Sequence, residues 1–289
     1  MKKYISLFLS LFVLLAAACS KTPEEKSAKN TDAANPAKIT IASTGSDTDV
    51  WRYIAGLEST KAAGLNIEVK NFNDYVAMNN ATANKEVDLN AFQSYNYLLA
   101  YNAESKDKVT PVSTTYIEPM GIYSDKVKSV GELANNAKIA IPNDAANESR
   151  ALSLLQSAGL IKLKADFDPI KGTTRDVVEN PKNLQLKTIP MATAVRVKGE
   201  VDAIVLGNTL AMEGGLNVIK DAIYYEKIDQ STKLYVNILA TAAGRENDAT
   251  LQKVGELYHS AEVKKYVDEH FAGTKIDVNK PVTYLTENK

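Results

Sequence analysis

Residues 138–157 read KIAIPNDAANESRALSLLQS. Lys138–Ile141 alternates as a short strand does, and Pro142–Asp144 forms a polar turn. Apolar residues then recur at helical spacing, with Asp144 placed to cap the helix N-terminus. Arg150 falls inside the first two turns. A helix N-terminus is already electropositive, so a cation there is mildly misplaced and asks for an anion nearby. Asn147 and Arg150, three residues apart, share one helix face.

The same shape appears earlier. KITIAST (38–44) is an alternating strand that stops in a polar turn, and a helical stretch over 47–63 follows, closed by Gly64. NIEVKNF (66–72) alternates as a second strand, and KEVDLNAF (85–92) leads into a helix at QSYNYLLAYNAES. GEVDAIVLGN (199–208) echoes KEVDLNAF: an acidic turn, a strand, then a polar or small residue at its end. Two such sets predict an α/β chain of two lobes. TTYIEPMGIYS (114–124) reads as the first crossing between them, followed by a capping-box pattern at Ser129–Glu132. KLYVNILATAA (233–243) reads as the return, with helices over 248–260 and 261–271 expected on the first lobe. Lobe I is therefore assigned to 38–117 and 236–289, and lobe II to 118–235. Two crossover strands make a hinge, and ligands favour such clefts. The strand ends STGSDTD, NAFQS, PNDAAN and LGNT are all polar, and none carries histidine or cysteine.

The N-terminus stands apart from this pattern. Positive MKK precedes a 15-residue apolar run, YISLFLSLFVLLAAA, which suits a signal peptide over 1–18 better than a membrane span. Cys19, the only cysteine, follows it, so a disulfide within the chain is excluded. Residues 20–37 mix three lysines with three acidic residues and no apolar period, which predicts a flexible tether over 19–37.

Charge and motif content narrow the function. Lys and Arg number 34 against 35 Asp and Glu, so no strong field recruits nucleic acid. The two histidines, His259 and His270, read as surface or packing residues, and the sequence offers no metal site and no cofactor motif. Asp47 and Asp49 are an acid/base pair in principle, but alternate acids at a helix start more often serve the helix end. The chain reads as a non-enzyme.

Several stretches carry a family resemblance: FNDYV (72–76), DLNAFQ (88–93), EPMGIYSDKVKSVGEL (118–133), IPNDAANESRALSLLQSAGLIKLK (141–164) and DVVENPKNL (176–184). They resemble the MetQ/NlpA family of methionine-binding lipoproteins, the substrate-binding components of methionine ABC importers. Leu15–Cys19 likewise resembles the lipobox of bacterial lipoproteins, in which the cysteine becomes the lipidated first residue. The resemblance implies a type II periplasmic binding-protein fold in the bacterial cell envelope, extracytoplasmic and membrane-anchored through lipid on Cys19. It implies that Arg150 takes an amino acid's α-carboxylate as a fork, with Asn147 beside it and the helix N-terminus reinforcing both. Tyr75 and Phe92 match aromatic walls for a thioether, and Asn208 and Asn237 match amides that hold the amino acid backbone. Glu118 is assigned to the ligand ammonium. The family frequently has histidine after its NAFQ string; here Ser94 stands there, which bears on the choice between methionine and another ligand.

The expected function is that of a lipid-anchored receptor for L-methionine or an analogue. It would be monomeric and serve a permease with a separate ATPase, since this chain has no nucleotide-binding loop. One alternative keeps the fold and binds another small amino acid or a methionine-containing dipeptide. A second is a surface interaction protein such as an adhesin, and a third is an exported hydrolase.

Overall fold

The computed structural model describes residues 35–287. The expected signal peptide, Cys19 and almost all of the tether lie outside the described residues. Among the described residues no helix is long and apolar enough to cross a membrane.

Two five-stranded sheets share one topology. The first has the order Leu65–Asn71, Ala37–Ser43, Leu89–Ser94, Asn237–Ala242, Val109–Thr114. Its first three strands are parallel, and Asn237–Ala242 runs antiparallel to both neighbours. The second has the order Gln185–Ile189, Lys138–Pro142, Ala203–Gly207, Met120–Tyr123, Tyr224–Tyr225, and here Met120–Tyr123 is the antiparallel member. In each sheet the antiparallel strand is the first one reached after the chain crosses over. Parallel neighbours need a long connection, and the helices Gly45–Gly56 and Ala145–Ser157 lie within those connections. The first crossing, at Tyr116–Ile117, pairs antiparallel with Ile276–Asp277 from the C-terminal tail.

Each sheet has its own core. Ile39 and Ile41 of the first sheet pack with Trp51 and Ile54, and the late helices Ala249–Tyr258 and Ala261–Phe271 add Val254, Val263 and Phe271. Ile139 and Ile141 of the second pack with Leu152 and Leu155 of the helix that follows. Each such side chain contributes about 1.5–3 kcal/mol on burial.

The helix expected over 47–63 is two helices, Gly45–Gly56 and Glu58–Ala62. Gly56 is a weak helix former, and Leu57 adopts an extended backbone (φ −69°, ψ 145°) while burying its side chain in the core. Thr60 then donates its hydroxyl to the Ile54 carbonyl at the break. The expected capping box is likewise partial: Ser129 Oγ donates to Glu132 Oε1, and Val130–Glu132 is a single 3-10 turn.

Gly45 opens the first helix at φ +51°, and a Cβ there would lie 1.6 Å from Glu213 Oε1 on the opposite lobe. Gly45→Ala is expected to cost about 1–2 kcal/mol, the usual penalty for an L side chain in the left-handed region. Thermal unfolding checks this; an unchanged Tm contradicts it.

Candidate functional site

The polar strand ends converge. Thr44, Gln93 and Ser94, Asn147, and Gly207 and Thr209 come from the four ends singled out by sequence, and together with Arg150 they line one cavity between the sheets. Binding loops beyond the C-terminal ends of parallel strands are the rule in open α/β sheets. The cavity gives about 50 Å³ of room to a water-sized sphere.

One wall is aromatic. Tyr75, which opens the helix Tyr75–Ala83, meets Phe92 with ring centroids 5.1 Å apart. Tyr97 stands edge-on to both at 5.8 Å. All three line the cavity. Burial first, and neighbouring carboxylates second, push the Tyr75 and Tyr97 phenols up, so both are neutral at physiological pH.

The opposite wall holds Arg150, which is 5% exposed. Asp144 caps its helix by accepting from the Asn147 backbone N–H at 3.0 Å, and it also takes the Asn147 side-chain amide at 2.9 Å. The anion beside Arg150 is Glu226. Arg150 Nε donates to Glu226 Oε1 at 2.9 Å and Nη2 to Oε2 at 2.6 Å. Nη2 donates again to the Glu118 carbonyl at 2.8 Å, and the guanidinium lies 4.4 Å from the Tyr235 ring centroid. Burial works against this charge, but Glu226 outweighs it and holds the guanidinium above its ordinary pKa. The fork expected for a ligand is thus closed on an internal carboxylate. Of five guanidinium N–H groups three are engaged, and among the described residues Nη1 makes no hydrogen bond.

Glu118 lines the cavity, but its carboxylate is saturated. Oε1 accepts the Thr209 backbone N–H at 3.1 Å and its hydroxyl at 2.9 Å; Oε2 accepts Asn208 Nδ2 and Lys275 Nζ, each at 3.0 Å. The role expected for it, facing a ligand ammonium, would fall to a carboxylate that already has four donors on it. Lys275 reaches onward to Asp47 at 2.8 Å, and the Tyr116 hydroxyl donates to the same carboxylate at 2.7 Å. Asp47 is therefore an ion-pair partner rather than a cap, while Asp49 is exposed beside Arg52. Burial pushes the Asp47 carboxyl up, with Lys275 countering only in part. Burial acts the same way on Glu118, but Lys275 and the Asn208 and Thr209 donors bring it below the usual range. Burial opposes the Lys275 charge; the two carboxylates more than restore it.

Seven of the eight residues expected at the site line the cavity: Tyr75, Phe92, Ser94, Glu118, Asn147, Arg150 and Asn237. Asn208 does not. It lies fully buried behind Gly207 and Thr209, bonded to Glu118 and Thr274, with its Oδ1 unpaired. Ser94 Oγ donates to Asn96 Oδ1 at 2.7 Å, and Asn96 Nδ2 donates across the cleft to the Ala146 carbonyl at 3.2 Å. The serine that departs from the family pattern therefore orients an interlobe bond. The Asn237 amide makes no hydrogen bond among the described residues. Sequence reasoning missed Glu226, Lys275 and Tyr97. The one available signal was Arg150 itself, on the buried stripe with Ala146 and Leu154, where a charge needs an internal partner. Among the described residues no group of His, Cys, Asp and Glu is arranged to hold a metal ion.

Comparison with known proteins places these features in context. A family model described as NlpA lipoprotein matches residues 38–279. Outer membrane lipoprotein 1 of Mannheimia haemolytica is 36% identical over 91% of this chain and 95% of that protein. A probable D-methionine-binding lipoprotein MetQ of Haemophilus influenzae is 33% identical over 92% and 94%. The solved structure of a nutrient binding protein from Burkholderia cenocepacia bound to methionine is 36% identical and covers 83% of this chain and 99% of that one, with a TM-score of 0.77.

Proposed function

The chain belongs to the NlpA lipoprotein family, and from that premise we propose that its cavity captures L-methionine or a close analogue for an ABC importer. One observation carries the reading: a cavity with a three-ring wall on one side and the unengaged Nη1 of a buried arginine on the other. That pairing suits an amino acid with an apolar, polarisable side chain. Sulfur against an aromatic ring is worth about 0.3–1.5 kcal/mol, and burying the whole side chain about 1.5–3 kcal/mol. Micromolar affinity needs about 8 kcal/mol. The charged ends must supply the remainder. Nη1 takes one carboxylate oxygen, and the Asn147 and Asn237 amides that line the cavity serve the other polar atoms.

We assign lipidation to Cys19, lobe I to 38–117 and 236–289, and lobe II to 118–235, the last two on sheet membership. The receptor is monomeric and meets a permease and an ATPase as separate subunits, and its work is binding and release without turnover.

A methionine-containing dipeptide is a second reading, because a further cavity of about 380 Å³ at the cleft mouth shares Thr44, Tyr75 and Leu210 with the inner one. A thermal-shift panel of both methionine enantiomers, other amino acids and dipeptides separates the two. Ligand at 100 times its Kd stabilises by about 2.7 kcal/mol. L-Methionine is expected to give the largest shift; no shift from any compound favours the interaction-protein alternative.

A further inference from the structure

We propose that Glu226 is a positioning residue that turns Arg150 into a one-edged carboxylate receptor, an inference that rests on the ligand reading above. Both chain crossings grip the guanidinium. From the first, the Glu118 carbonyl accepts Nη2. From the stretch leading into the second, Glu226 takes the Nε–Nη2 edge with both oxygens, and Tyr235 near the start of that crossing lies under the guanidinium plane. Glu226 is itself pinned: its Oε2 accepts the Met120 backbone N–H at 2.8 Å, and its side chain is 6% exposed. A planar guanidinium held along one edge has a fixed orientation, so Nη1 is the only nitrogen left to the cavity. The ligand carboxylate therefore meets one nitrogen of Arg150 instead of two. Selection between a carboxylate and an uncharged amide then depends on an orientation that Glu226 maintains without touching the ligand.

The test compares L-methionine with L-methioninamide, which lacks the carboxylate charge, by calorimetry on the full folded receptor and on Glu226→Gln. Glutamine is isosteric but opposes one guanidinium or Met120 N–H with an amide NH₂. Loss of hydrogen bonding to a charged group predicts that Glu226→Gln weakens L-methionine by about tenfold or more. L-Methioninamide is expected to change by less than about twofold, so the preference for the carboxylate shrinks. A merely structural role lowers both affinities together and leaves the preference intact, which overturns the proposal. A preference that grows also overturns it, since Glu226 would then act only as a competing charge. Should Glu226→Gln not fold, Glu226→Asp keeps the charge but retracts the carboxylate, and the same ratio decides. The underlying reading fails separately: wild-type protein would show no preference, or Arg150→Ala would retain it.

Discussion

Arg150→Ala is expected to weaken L-methionine binding by about 3–5 kcal/mol, the cost of removing one partner of a buried charge pair. At about 1.4 kcal/mol per tenfold, that is a loss of roughly 140- to 4,000-fold in Kd. Two effects reach the same variant. The ligand carboxylate loses the one guanidinium nitrogen left to receive it, and Glu226, 7% exposed, loses its cation. The second acts on the protein without ligand as well, so thermal unfolding of the variant measures it independently. Arg150→Lys is expected not to rescue binding. A lysine ammonium holds Glu226 as a point charge but cannot hold one edge and present another. Calorimetric titration checks both variants, and an Arg150→Ala Kd within about threefold of wild type shows that the arginine is structural.

Lys275→Met has the next largest expected effect, on stability. Lys275 is completely buried between Asp47 and Glu118, with Thr209 of the opposite lobe 3.3 Å from its ammonium. Methionine fills much of the same space but strands two buried carboxylates, at a cost of about 3–5 kcal/mol. For a domain of this size that is a fall in Tm of about 6–20 °C. The pH dependence has a definite sign. Lys275 has a raised pKa in the fold, so the stability it contributes is fully present below its unfolded value of about 10.4 and is lost as pH rises through the folded value. Glu118 is lowered, so its contribution is present above the ordinary carboxylate pKa and lost as pH falls through the folded value. Asp47 is raised and acts in the opposite sense. Without Lys275 both carboxylates rise further, and protonation relieves them. The gap between wild type and Lys275→Met is therefore expected to narrow below about pH 5. A gap independent of pH contradicts the ion-pair account.

The elements legible in sequence are those whose signals are local. Alternation in KITIAST and KIAIPND, the Asp144 cap and the polar strand ends each occupy a few consecutive residues, and together they located the cleft. Its cross-chain partners were not legible. Glu226 lies 76 residues from Arg150 in a stretch, IYYEKID, that has no regular period. Lys275 follows the last helix, 228 residues from Asp47. Sequence pattern shows that a charge sits on an apolar stripe, but three-dimensional packing chooses the group that neutralises it. The same limit explains Ser94, whose hydroxyl serves an asparagine that bonds the opposite lobe. It also explains the helix break at Leu57, where burial of one side chain prevails over local helical preference.

On the proposed function, methionine lies in this cavity with its sulfur against the three rings and its carboxylate on Arg150. Crystals grown with selenomethionine as the free ligand, and sulfur methionine in the chain, test it through the anomalous signal of selenium. One selenium peak is expected about 5 Å from the rings of Tyr75, Phe92 and Tyr97, with carboxylate density at Nη1 of Arg150. A peak outside the cleft, or carboxylate density on a group other than Arg150, contradicts it.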